Sequence, residues 1–338
     1  MEFKFVENLI AKALKYGVSD AHINDSVYFR INKEVLLYAP RSDIADSMNI
    51  DEIASLKREL EQIVNNANEK SVTISINGTK CRITSFLSGQ NQEQNLKSEN
   101  LDSIISKPTN NANFLCFAIR ILRTKIPTLA DLNTPKILES LAMRDSGLVL
   151  VCGATGVGKS TSLAAMINHI NQNCKKHILT IEDPVEYEHV SLNSLVTQRE
   201  ISRDSSDFEA ALRASLRQDP DVILIGEILE SSVLKLAINH ALSGHLVLAS
   251  FHAYSCSHAI ARVLGLCSGD TSAHANLADC LQGVITQKLY KDGDKLSADF
   301  EILIANNAVK VLIKENKINQ LDAQISMGRE HGMQHFRN

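Results

Sequence analysis

Tryptophan is absent from the 338 residues, and aromatic side chains make up only 5%. So few flat rings leave little on which bases could stack, which argues against a single-strand nucleic-acid binder. Surplus positive charge is missing as well: 35 Lys and Arg stand against 39 Asp and Glu, a formal net charge of −4. A protein that binds by neutralising many duplex phosphates needs the opposite balance. No apolar run approaches the roughly 18 residues that span a bilayer. Glu2, Lys4 and Glu7 interrupt the start of the chain where a signal peptide would carry an apolar core. The expectation is a cytoplasmic protein that reaches a membrane only through a partner. The seven cysteines (Cys81, Cys116, Cys152, Cys174, Cys256, Cys267 and Cys280) are odd in number and irregularly spaced, with no C-x-x-C pair. Free buried thiols are expected, rather than a disulfide framework or a structural zinc site.

With 44% hydrophobic and 22% charged residues, the chain has the composition of a globular protein and the length for two domains. Residues 3–16 place Val6, Leu9, Ile10, Ala13 and Leu14 on one helical stripe. Strands are expected at 27–31 and 35–38, a second helix at 51–67, and a hairpin pairing 72–76 with 82–87 around Asn77-Gly78. Residues 88–113, rich in Asn, Gln, Ser and Glu, read as a polar, flexible insertion with one short helix near 101–105. A buried strand resumes at 114–122. These pieces make a small α+β domain over 1–124. A linker marked by Pro127 follows at 125–135, then a second domain over 136–338. There, strands at 147–152, 178–182, 222–226 and 246–251 alternate with helices at 159–173, 207–217, 231–243 and 255–265, the sign of a parallel α/β sheet. A helical tail is expected from Leu277, Leu281, Val284, Ile285 and Leu289, then a strand over 300–305 and closing helices over 308–314 and 321–327.

The stretch Gly153-Ala154-Thr155-Gly156-Val157-Gly158-Lys159-Ser160-Thr161 fits G-x-x-x-x-G-K-[ST], between an apolar strand and an amphipathic helix. Backbone N–H groups can wrap a triphosphate closely only where side chains do not block the approach, and a helix start adds free donors and partial positive charge. Lys159 is placed to reach the outer phosphates, and the Ser160 hydroxyl to hold Mg²⁺. Three further segments fall at expected strand ends, where α/β sheets bind ligands. Glu182-Asp183-Pro184-Val185-Glu186-Tyr187 is either a solvated acidic turn or, beside a phosphate loop, a source of a general base. Glu227 follows the apolar strand at 222–225, as an acidic residue near Mg²⁺ does in phosphate-loop ATPases. His245 and His252 bracket the strand at 246–251. Seven residues apart, an odd separation, their side chains fall on opposite faces of a regular strand, which fits two groups at its two edges rather than one metal pair.

In this order the motifs resemble those of the secretion ATPase superfamily, most closely the PilT type of pilus retraction ATPases. Residues 153–161 are similar to the Walker A motif, 182–187 to the Asp box, 216–227 to Walker B and 244–252 to the His box. Residues 281–289 and 327–334 are similar to the C-terminal region, and Asp20-Ala21-His22 with Arg30-Ile31-Asn32 to a PAS-like N-terminal domain. The resemblance implies a RecA-like ATPase domain behind that PAS-like domain, and a homohexameric ring with ATP between subunits. Glu186 becomes the general base, Glu227 the Walker B carboxylate holding Mg²⁺ through water with Ser160, and His245 and His252 the His-box pair. Arg82 and Arg120 become the arginines that face a neighbour's ATP. The implied partner is an inner-membrane pilus platform protein, with the ring lying peripherally on its cytoplasmic side and hydrolysis powering retraction in twitching-type motility. An assembly or secretion ATPase, and a nucleotide-binding regulatory subunit with little hydrolysis, are the alternatives. One departure stands out. The family usually follows Gly-Glu with Met or Ile and then Arg-Asp, whereas this chain has Ile228-Leu229-Glu230.

Overall fold

In the computed structural model of the chain, the described residues are 3–31, 34–39, 48–88, 114–121, 126–201, 203–292 and 295–337. The chain divides into two compact units, Met1–Thr124 and Lys125–Asn338. The expected polar insertion at 88–113 falls, from residue 89 on, outside the described residues.

The first unit contains α1 (Lys4–Lys15), β1 (Asp20–Ile23), β2 (Val27–Ile31), β3 (Glu34–Ala39), α2 (Ile50–Ile63), β4 (Lys70–Ile76), β5 (Thr79–Ser88) and β6 (Phe114–Ile121). Its six strands form one antiparallel sheet in the order β3-β2-β1-β6-β5-β4. Asn77 and Gly78 both take positive φ, the requirement of the tight turn that joins β4 to β5. Asn49 and Glu52 close a reciprocal capping box at the start of α2. The Glu59 carboxylate accepts from the N–H groups of Phe5 and Val6, which joins α2 to the first turn of α1. Val6, Leu9, Ile53, Leu56, Ile83 and Phe117 lie in the core between helices and sheet.

The second unit runs α3 (Ile137–Ala142), β7 (Gly147–Cys152), α4 (Lys159–Asn173), β8 (His177–Glu182), β9 (Leu195–Glu200), α5 (Phe208–Ser215), β10 (Val222–Ile225), α6 (Ser231–Leu242), β11 (Leu246–Phe251), α7 (Cys256–Leu266), α8 (Ala273–Cys280), β12 (Leu281–Asp292), β13 (Lys295–Ile304), α9 (Asn307–Lys314) and α10 (Leu321–Met327). Its sheet has the order β13-β12-β7-β11-β10-β8-β9 and is parallel except at β13. β7, β10 and β11 are buried at every position, as befits strands covered on both faces. The α/β architecture is the one expected.

The expected helical tail ends early. Helix α8 stops at Cys280, and Leu281, Val284, Ile285 and Leu289 belong to β12. Leu281, Val284, Ile285 and Leu289 fall at spacings a helix can use, while the buried stretch 283–287 mixes apolar residues with Thr286 and Gln287, so no strand alternation shows in the sequence. Hydrogen-bonding partners on both sides, β7 and β13, decide the matter. Strands β1 and β9 and helix α3 carried no clear periodic signal. The β9 segment, LVTQRE, is a half-buried strand that, among the described residues, pairs only with β8. All seven cysteines are free thiols, and only Cys174 is not fully buried.

The arrangement has one consequence for function. β7, β8, β10 and β11 point the same way, so the segments that follow them gather along one edge of the sheet.

Candidate active site

The loop between β7 and α4 is shaped by what it packs against. Gly153 has φ +146, and a Cβ there would stand 2.6 Å from the carbonyl oxygen of Gln287. Gly158, the N-cap of α4, is left-handed at φ +91. Between them Ala154, Thr155 and Gly156 are exposed, while Val157 folds inward. Helix α4 buries Leu163, Ala164, Ile167 and Ile170, the face expected from their spacing. Its first residues therefore have a fixed direction relative to the loop.

Lys159 is buried, and its ammonium donates to the carbonyls of Gly153 (2.9 Å) and Ala154 (3.1 Å). Burial pushes its pKa down; Glu227 is the strongest charge acting the other way, followed by Cys152 and Glu186. A cation drawn out of water and only partly compensated is a strong receptor for further negative charge. Ser160 Oγ donates to Glu186 Oε1 at 3.2 Å. Thr161 Oγ1 lies 2.9 Å from the Tyr187 hydroxyl. Residues 186–187 are thereby tied to the start of α4. Asp-box and loop residues meet although 26 positions separate each pair in sequence.

Glu227 leaves the end of β10 and meets His252 at the end of β11, with Oε1 2.5 Å from Nε2. Both are half-exposed. The short strand and the Gly226 turn set this meeting. Gly226 N–H donates to Ile181 O, and its carbonyl accepts from Ser250 Oγ. The His252 carbonyl accepts from the Arg262 guanidinium, which also lies over the Phe251 ring.

His245 stands elsewhere. It precedes β11, at the edge opposite the loop, and its Nδ1 lies 3.0 Å from the His240 carbonyl. At roughly 3.3 Å per residue the strand puts about 20 Å between it and His252. The structure therefore keeps the two histidines at opposite strand ends and brings only His252 to the acidic edge.

Arg82 and Arg120 belong to the first unit. They face each other across β5 and β6. Arg120 Nε pairs with Asp20 Oδ1 at 2.8 Å, and Arg82 Nε donates to Ser71 Oγ at 2.9 Å.

Two residues gained no role from the sequence. Glu182, at the end of β8, is held by Thr180 Oγ1 (2.8 Å) and Gln198 Nε2 (3.3 Å). Burial nevertheless pushes its carboxyl up to about 7, with the nearby Glu186 charge adding to the rise. Gln287, on β12, donates to Val157 O and accepts from Ser162 Oγ. No sequence signal singles it out, since Gln282, Thr286 and Lys288 are polar neighbours in the same stretch.

One edge thus holds a buried lysine, a hydroxyl beside a carboxylate, and a second carboxylate paired with histidine. A glycine-lined loop ending in helix N–H groups receives phosphate oxygens, and a hydroxyl beside carboxylates suits a hard cation.

The sequence pattern of the family described as type II/IV secretion system protein matches residues 108–335. The chain is 43% identical over 222 residues to the uncharacterized protein YggR of Escherichia coli strain K12, covering 65% of this chain and 68% of that one. Over 218 residues it is 41% identical to the "Type IV pilus retractation ATPase PilT" of Pseudomonas aeruginosa, covering 64% of this chain and 63% of that one, under two thirds of its length. Among solved structures, the pilus retraction motor PilT with bound ADP matches with a TM-score of 0.77 and 30% identity, covering 95% of this chain and 89% of that one.

Proposed function

The chain belongs to the family of type II/IV secretion system proteins, and on that footing we propose that it is an ATP-hydrolysing motor for type IV pilus retraction. The observation that carries the reading is the meeting of the phosphate loop with Glu186 and the Glu227–His252 pair on one sheet edge. The likeness to PilT over nearly the whole fold supports the retraction type. So does the lack of the paired C-x-x-C ligands usual in assembly and secretion ATPases.

Loop N–H groups and the α4 N-terminus bind the phosphates of ATP. Lys159 leaves its two carbonyl partners for the outer phosphate oxygens. Ser160 and, through water, Glu227 are the residues that would hold Mg²⁺, which when bound neutralises charge on the phosphate oxygens. Glu186 takes a proton from the attacking water as its oxygen bonds to the γ-phosphorus. The bond to the β-phosphate oxygen breaks, and ADP and phosphate leave. His252 orients Glu227; His245 stands outside this group. The ring is a homohexamer on the cytoplasmic face of the inner membrane, where it turns a pilus platform protein. Arg82 and Arg120 of the partner subunit complete each site. No helix among the described residues is long and apolar enough to cross a membrane, so membrane attachment through that platform protein fits.

Turnover and ATP binding of wild type, Lys159→Ala and Glu227→Gln test the chemistry. Wild type turns over. Lys159→Ala loses binding, while Glu227→Gln binds ATP and slows by about 10²-fold or more. Wild-type turnover no faster than either variant would favour a regulatory subunit, the reading that the exposed Leu229 beside Glu227 suggests. Direction is read in a deletion strain: pili that accumulate without retracting support this assignment, and loss of pili points to assembly.

A further inference from the structure

Gln287 is 130 residues from Val157 in sequence, yet its side chain bonds both the phosphate loop and the helix that follows it, and it lies against two of the loop's glycines. Its side chain is buried in β12, where an amide without partners would be costly. Nε2 donates to the Val157 carbonyl at 2.6 Å, and Oε1 accepts from Ser162 Oγ at 2.8 Å. Its own carbonyl oxygen is one of the two atoms a Cβ on Gly153 would strike, the other being Val157 Cγ2, and its Nε2 is 3.3 Å from where a Cβ on Gly158 would lie. Both glycines that bound the loop are thus packed on this one residue.

The bond to Val157 matters because of peptide geometry. A trans peptide is planar, so fixing the Val157 carbonyl toward β12 turns the Gly158 N–H away from β12. Gly158, at φ +91, imposes little steric barrier of its own. If this peptide flipped, a carbonyl lone pair would replace an N–H donor on the side where an anion binds. The Ser162 bond holds the first turn of α4 to the same amide, so loop and helix start move together.

We propose that Gln287 is the positioning residue of the phosphate loop. It never contacts nucleotide. It sets the Val157–Gly158 peptide and the start of α4 so that their N–H groups converge on phosphate. The inference rests on the reading that this loop binds ATP.

The test is equilibrium titration with a fluorescent ATP analogue and Mg²⁺, alongside melting temperature and steady-state kinetics. The proteins are full-length wild type, Gln287→Met, Gln287→Glu and Ser162→Ala. Methionine keeps the bulk and loses the donor; glutamate, titrated at pH 7 and again at pH 9 so that it is read in its ionised form, keeps the acceptor for Ser162 and sets an oxygen against the Val157 carbonyl. Both should weaken nucleotide binding on the order of tenfold, and raise KM alike, with kcat at saturation changed much less. Ser162→Ala, which leaves the Val157 bond, should stay within about threefold. Binding by Gln287→Glu within about twofold of wild type, or a fall in kcat and melting temperature with KM unmoved, overturns the proposal and leaves Gln287 a packing residue. Should Gln287→Met not fold, the isosteric Gln287→Glu decides. Wild type that fails to bind the analogue at millimolar concentration sinks the ATP reading itself, a result separate from any comparison among variants.

Discussion

Glu182 offers a stability measurement whose size and sign follow from its surroundings. Its carboxyl is raised from an ordinary 4.5 to about 7, chiefly by burial, despite bonds from Thr180 and Gln198. Above pH 4.5 the unfolded chain releases this proton, while the folded chain keeps it until about 7. Within that window the native state binds more protons, so stability falls as pH rises and levels off above the folded value. At about 1.4 kcal/mol per pH unit, the full loss is about 3 kcal/mol. Glu182→Gln removes the charge and keeps an acceptor for Thr180 and Gln198. The assay is guanidinium unfolding of both proteins from pH 4 to pH 8.5 at constant ionic strength. Other titrating groups largely cancel in the difference. The variant should gain on wild type by about 3 kcal/mol across the window, with most of the gain between pH 5 and 7. A difference flat to within about 0.5 kcal/mol, or one of opposite sign, would refute the claim that Glu182 holds its proton in the folded state.

Gly153→Ala should destabilise the second unit by about 2 kcal/mol or more, because the new Cβ meets the Gln287 carbonyl at a φ that disfavours side chains; calorimetry reads the loss. Glu301 is buried, with Oε2 accepting from Cys256 N–H and Oε1 3.3 Å from His335 Nδ1. Glu301→Gln should cost about 1–2 kcal/mol in urea unfolding and speed amide exchange over residues 333–337. Glu59→Ala removes the acceptor of the Phe5 and Val6 N–H groups, so unfolding should show a loss of about 1 kcal/mol, with faster exchange at those two amides.

The elements legible in the sequence were those whose local signals agree with their tertiary setting. α4 shows a helical apolar face directly after a glycine loop. β7, β10 and β11 are short apolar runs with turn chemistry at each end. The Asn77-Gly78 hairpin declares itself through two residues that tolerate positive φ. β9 did not, because a half-buried strand needs neither alternation nor a solid apolar run, only a neighbour with free hydrogen-bonding groups. At the site, spacing was enough to place Lys159 and Ser160 at the start of the helix behind the glycine loop and Glu227 beyond a strand end. It could not show that Glu186 meets Ser160 or that Glu227 meets His252, since those contacts depend on strand order. The order β7-β11-β10-β8 puts β10 between the Asp-box strand and the histidine strand. No sequence period encodes that adjacency.

That residues 281–292 form a strand, where a helical tail is expected, has the larger consequence. A helix over 281–289 would place Gln287 among residues three and four apart, with no reason to reach a loop 130 positions earlier. As part of β12, beside β7, the same residue stands where the chain leaves β7 for the loop. Thr286 pairs with Cys152, the last residue of β7, so Gln287 lies one step beyond, level with Gly153. The need for glycine at 153 then has a partner as well as a conformation: the backbone passes too close to the Gln287 carbonyl for any side chain. A phosphate loop is usually credited to its own glycines and the helix behind it. Here a strand from the far end of the chain supplies its other wall through Gln287, so β12 forms part of the proposed nucleotide site as well as of the sheet.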